Sequence, residues 1–141
     1  MNYYVNAEEQ LDGAQILAAS EKYRLAVTLL CLSCELYLKS AVETISPMNP
    51  LLNSHDIVNL GALIKDKVDF QKIAPSLAFM RKYLNDSRYP FDTKVYTKAF
   101  YEECLAAVIN VKAQIDSISA NLSITEILTD KFGTDNVTEK R

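Results

Sequence analysis

The chain is poor in the residues that break regular structure. Among its 141 residues are 3 Gly and 4 Pro, less than half of the usual combined share of about 12 percent. A β-sandwich or barrel needs turn residues every 8 to 12 positions and is excluded on that ground. There is one His, so any mechanism that needs two imidazoles on one chain, or a His-rich metal centre, lacks its residues. The 3 Cys are odd in number and form no CxxC pair, which excludes a disulfide framework and a zinc site. Cys31, Cys34 and Cys104 stand in apolar surroundings and read as buried thiols of a reducing, cytoplasmic compartment. No catalytic set, metal set or cofactor fingerprint is present: there is no phosphate-cradling Gly-rich loop, no GxSxG and no HExxH. Met1 to Glu9 lacks a basic region followed by an apolar stretch, so no secretory signal is expected. The apolar stretch Leu25 to Leu38, interrupted by Thr28, Ser33 and Glu35, reads as too short and too polar for a bilayer, and no membrane partner is expected.

What is present is helical periodicity. Phe100, Cys104, Val108, Val111, Ile115, Ile118 and Leu122 recur at steps of three and four and share one helix face. Leu25 to Ile45 is apolar nearly all round, as in a central helix, and Ser46-Pro47 with Pro50 stops it. Ser54 or Asp56 serves as N-cap for a helix carrying Ile57, Leu60, Leu63 and Ile64. Pro75 fits the first turn of the next helix, with Leu77, Met80 and Leu84 as its apolar set. Leu11, Ala14 and Ala18 mark a weaker first helix, and Asp12-Gly13 within it has no flanking strands to make a hairpin. Ser123-Ile124-Thr125-Glu126 matches a capping box, so a short extra C-terminal helix is expected before Gly133. The expected organisation is a single all-α bundle over 1–132 and a polar, flexible tail over 133–141.

Three groups of residues carry chemistry. Glu35 lies in an apolar helix where a lone charge is costly, and Lys39, four residues on, is in the favourable order for an ion pair. The pair is either structural, at the edge of the core, or lines a polar groove between helices. His55 sits at a helix start beside Asp56, as a capping or packing residue or as a site residue. The third group is a local excess of positive charge. Residues 81–98 hold Arg81, Lys82, Arg88, Lys94 and Lys98 against Asp86 and Asp92, a net of +3 within a chain of −3. Pro90 biases Tyr89 toward an extended conformation, leaving Arg88 and Tyr89 at a helix mouth. Guanidinium and phenol together can hold a phosphate and stack on a base. The same cations also suit an ordinary solvated helix end, and Arg88 is a second candidate partner for Glu35.

Glu35-Leu36-Tyr37-Leu38-Lys39, Ser54-His55-Asp56-Ile57 with Leu60, and Arg88-Tyr89-Pro90 before a long final helix together resemble the HEPN domain family, over about Ala7 to Leu122. The resemblance implies an up-and-down bundle of about five helices that forms homodimers. It also implies kinship with the helical domain of aminoglycoside nucleotidyltransferases. Many bacterial members act beside a separate nucleotidyltransferase in a two-component, toxin–antitoxin-like module. One branch cleaves RNA through an Arg followed after four to six residues by a His, and this sequence has no such pair: the places after Arg24, Arg81 and Arg88 hold no His. The resemblance is closer to the branch marked by Arg-Tyr-Pro, whose implied role is binding. Glu35, Lys39, His55, Arg88 and Tyr89 match that branch's characteristic positions, either as ligand-binding residues, for a nucleotide, another phosphate-bearing ligand or RNA, or as a fixing network.

Overall fold

In the computed structural model, residues 2–84 and 95–132 are described, with side chains for 2–83 and 95–118. Among the described residues there are five α-helices: α1 (Tyr3–Ala19), α2 (Tyr23–Ile45), α3 (Ile57–Leu63), α4 (Phe70–Leu84) and α5 (Lys98–Phe132), with a 3₁₀ turn at Pro50–Asn53. No strand occurs among the described residues.

α2 is the central element. Ala26, Val27, Leu30, Cys31, Cys34, Tyr37, Leu38, Ala41 and Val42 are all buried and share one broad face of the helix, while Leu25 on the opposite side is 52% exposed, which narrows the expectation of a helix buried nearly all round. The helix is long and apolar enough to cross a membrane, which corrects the expectation that this stretch is too short, but 67% of its most apolar window is buried inside the bundle. Such burial is that of a core helix, each fully buried Leu or Ile contributing about 1.5–3 kcal/mol.

α1 packs antiparallel to α2 through small residues. Ala7 and Ala14 are fully buried, and a Cβ at Gly13 would stand 3.1 Å from Leu29 Cδ1. This contact also lets the Ser33 hydroxyl donate to the Ala7 carbonyl at 2.9 Å, which satisfies a fully buried polar group in α2. α1 ends in a Schellman motif: the Lys22 N–H donates to the Leu17 carbonyl and the Glu21 N–H to Ala18. Glu21 supplies the left-handed residue, at φ 61°, where Gly is usual.

α4 and α5 are antiparallel. Asn110 on α5 donates to the Lys72 carbonyl and the Ser76 hydroxyl, while Gln114 accepts from the Asp69 N–H at 3.1 Å. At the other end Phe79, Tyr83, Phe100 and Tyr96 form an edge-to-face aromatic cluster, with ring centroids 4.7–5.9 Å apart. α3 crosses α4 at Gly61, where an added Cβ would collide with Leu77 Cδ1.

Several expectations need correction. Pro75 lies inside α4, which begins five residues earlier at Phe70. Side-chain bonds from Asn110 and Gln114 hold that first turn against α5, so the donor that Pro removes does not set the boundary. Leu63 is 38% exposed rather than in the core, because α3 ends there while Ile57, Leu60 and Ile64 turn inward. No separate C-terminal helix starts at Ser123: α5 runs unbroken to Phe132, since a capping box stops nothing that the preceding turn already continues. The remainder of the α5 prediction holds, with Cys104, Val108, Val111, Ile115 and Ile118 buried. The side chain of Leu122, like residues 133–141, lies outside what is described.

Candidate functional site

The α2–α3 boundary brings three of the expected residues together. Glu35 and Lys39 project from the same face of α2, four residues apart, and both are buried at 4% and 6% exposure. Lys39 Nζ lies 3.3 Å from Glu35 Oε2. His55 approaches from the start of α3, with Nδ1 at 3.3 and 3.1 Å from the two carboxylate oxygens. The His55 side chain is 70% exposed. With Glu35 ionised, Nδ1 carries the proton and donates it, which fixes the tautomer and the ring plane. Nε2 then has no partner among the described residues.

The sequence places His55 there through the cap that follows it. Asp56 is the N-cap of α3 and accepts from the Val58 and Asn59 N–H groups. Its own N–H donates to the Ser54 hydroxyl at 3.0 Å. Arg81, in the last turn of α4, donates to Asp56 Oδ2 at 2.8 Å. The start of α3 is thereby fastened to α4 while His55 is held against α2.

The basic patch divides on inspection. Arg81 belongs to Asp56. Lys98 stands 3.9 Å from Glu102, both exposed, an arrangement worth little in water. Lys82 lies 5.5 Å from the centre of the Tyr83 ring. Arg88, Tyr89 and Lys94 lie outside the described residues. Among the described residues no group of three or more His, Cys, Asp or Glu side chains could hold a metal ion. The three cysteines are buried and none is in a disulfide, and burial pushes the Cys34 thiol well above its ordinary pKa.

A second polar cluster, absent from the sequence reading, closes the seam between α1, α2 and α5. Tyr37 donates to Glu8 Oε1 at 2.9 Å and Tyr4 to Asp116 Oδ1 at 2.7 Å. Lys112 Nζ bridges both acids, at 3.4 Å from Glu8 and 2.9 Å from Asp116. Burial, then the bond to Asp116, pushes the Tyr4 phenol up to about 12, and burial with the Glu8 bond raises Tyr37 further. The bond to Asp116 raises Lys112. Only the Lys112–Asp116 spacing was visible in the sequence. The other partners are separated by 29 and 112 positions.

Comparison with curated proteins and with solved structures finds no match. A family model does match: the HEPN domain aligns with residues 2–118, a span that includes the all-helical frame and the Glu35–Lys39–His55 cluster, and the chain therefore belongs to the HEPN domain family.

Proposed function

We propose that this protein is a non-catalytic HEPN ligand-binding module that takes a nucleotide or another phosphate-bearing ligand at the Glu35–Lys39–His55 cluster, with Arg88 and Tyr89 completing the site. The observation that carries this reading is the unequal burial of the cluster. A carboxylate and an ammonium are kept out of water, and their outward contact is one exposed imidazole, whose Nε2 is left available. Protonated, that nitrogen donates to a phosphate oxygen; neutral, it accepts from a hydroxyl. Glu35 orients it and Lys39 balances Glu35.

The module is read as a cytoplasmic homodimer working with a separately encoded nucleotidyltransferase. A reading in which the Arg81–Lys98 stretch binds or cleaves RNA is less well supported. Arg81 is engaged by Asp56 and Lys98 has Glu102 beside it, so two of the described cations of that stretch are partly neutralised. A ligand-free dimeric scaffold is the remaining alternative.

Thermal denaturation with millimolar ATP tests the leading reading. Binding to the folded state raises Tm by mass action. The expected result is a rise in the parent protein that is lost in folded His55→Ala and Arg88→Ala variants. A rise that persists in both variants, or no rise at all, refutes the site. Light scattering on the same samples should give twice the chain mass of 15.9 kDa.

A further inference from the structure

α5 outruns two of the helices it lies among. Tyr4, at the start of α1, bonds to Asp116, and Asp69, just before α4, bonds to Gln114, so both helices begin at the level of residues 114–116. α5 continues unbroken to Phe132, well past residue 118, where the match to the family ends. Residues 119–132 add about 21 Å of helix at about 1.5 Å per residue.

The apolar side of α5 changes along this extension. Up to Ile118 it is the buried line of Cys104, Val108, Val111, Ile115 and Ile118. Leu122 continues that line, and Thr125, Glu126 and Thr129 then make it polar. Apolar positions resume on the opposite side. At about 100° per residue, positions 124, 127 and 128 fall in line with 106, 110 and 113. Ile124, Ile127 and Leu128 occupy the first set, while Ala106 and Ala113 in the second are exposed. The end of α5 is thus apolar along the side that the bundle leaves open.

That side also holds a groove of about 400 Å³ between α4 and α5, lined by Pro75 and Phe79 of α4 and by Ala106 and Ala107 of α5, with Glu103 and Asn110 at its two ends. Asn110 Nδ2 already donates to the Lys72 carbonyl and the Ser76 hydroxyl, so an apolar group can lie against it without stripping those bonds. Glu103 is exposed and has no ion-pair partner among the described residues. The extension cannot fill the groove of its own chain. Their midpoints, near positions 127 and 107, are about 30 Å apart on one unbroken helix.

From this pattern we infer that the groove receives the α5 extension of a second copy of this chain, the two α5 helices crossing antiparallel about a two-fold axis at Ser117. With Ser117 opposite its own counterpart, Leu128 and Ile127 come opposite Ala106 and Ala107, Ile124 opposite Asn110, and Lys131 opposite Glu103. Large positions meet small ones and a cation meets an acid, and the two-fold repeats each match. Ala113 and Ala120 flank the crossing, so the axes can approach closely there. The contact is isologous and closes at two chains. A parallel pairing would instead set Glu103 against Glu103 and leave both grooves empty. The inference supplies the interface of the homodimer proposed above and rests on that reading.

Sedimentation of the full chain tests it, and the parent should run at twice 15.9 kDa. Ile127→Asp, which brings a carboxylate to the apolar groove near Glu103, should raise the dissociation constant by about a hundredfold or more with the helical circular dichroism retained. Glu103→Lys or Lys131→Glu alone should weaken the dimer by up to about fivefold, and the two together should restore it. A short bis-maleimide should join Ser117→Cys to its own copy but not Asp12→Cys on the outer side of α1, since the native cysteines are buried. If Ile127→Asp does not fold, the charge reversals and the Ser117 cross-link decide alone. A dimer that keeps parent affinity in Ile127→Asp, or that shows neither the restoration nor the Ser117 cross-link, uses another face; this inference then falls while the homodimer stands. A parent that remains at 15.9 kDa near about 1 mM overturns both.

Discussion

Replacing Glu35 by Ala should be among the most damaging single changes in this protein, and the structure says by how much. The substitution leaves the Lys39 ammonium, with its side chain 8% exposed, facing a methyl group where a carboxylate stood. Breaking a buried pair from one side costs about 3–5 kcal/mol, because the remaining charge stays out of water without compensation. A domain of this size has about 5–15 kcal/mol in total, so urea denaturation followed by circular dichroism should show the midpoint displaced by about a fifth or more. Lys39→Met should cost less, since Glu35 keeps His55 at 3.1 Å. The double variant Glu35→Ala with Lys39→Met removes both charges together and should recover about 2 kcal/mol or more relative to the sum of the singles. If Glu35→Ala is too unstable to fold, refolding of the double variant supplies the same information. Single effects within about 0.5 kcal/mol of zero, or strict additivity, would show that water reaches the pair, and the reasoning from burial would fail.

Three further outcomes follow from the described geometry. Glu21→Gly should stabilise by about 1 kcal/mol, the left-handed cost of a side chain at φ 61° less the extra freedom Gly gives the unfolded chain. No gain in the denaturation midpoint would mean that Glu21 is not strained there. Gly61→Ala should destabilise by about 1–3 kcal/mol, because the new methyl meets Leu77, itself 1% exposed and unable to move aside; Gly61→Ala with Leu77→Val should recover part of the loss. The third outcome is alkaline sensitivity. Tyr4, Tyr37 and Lys112 all hold their protons more tightly folded than unfolded, so the unfolded chain is first to release them. Their contribution is complete below the ordinary tyrosine value of 10.0; that of Tyr4 is lost as pH rises toward about 12, and those of Tyr37 and Lys112, raised further, decline over the same range and beyond it. Denaturation midpoints measured over that range should fall, and less steeply in Tyr4→Phe.

Local pattern carried the fold further than it carried the site. The α2 core was legible because Leu25 to Ile45 is apolar almost throughout, and the buried face of α5 because a period of three and four residues is a property of the sequence itself, as was the stop at Ser46-Pro47. Pro75 misled because its usual place in a first turn is only a preference, overridden here by the bonds that Asn110 and Gln114 make to the start of α4. Ser123 misled because a capping box describes a start and does not by itself end the helix before it. Within the site, the Glu35–Lys39 pair is a spacing of four and could be read directly. The His55 contact joins residues 20 apart, and it became readable only through the family resemblance. Arg81 was assigned to a basic patch because its charge is a local property, while the Asp56 carboxylate that engages it is 25 positions away.

The Glu35 cluster is built from parts of unequal permanence. Glu35 and Lys39 belong to a 23-residue helix at the centre of the bundle, whereas His55 is presented by α3, whose helical run is 7 residues. A helix of that length does not hold itself in water and depends on its Asp56 cap, the Arg81 tie and the Leu60 and Gly61 contacts. When α3 loosens, the imidazole leaves while the buried charges stay, and the half-site that remains is closed to any visitor. Whatever engages His55 therefore also fastens α3, so amide exchange in Val58 to Leu63 is a gauge of occupancy, and the shortest helix of the fold is where arrival at the site would register.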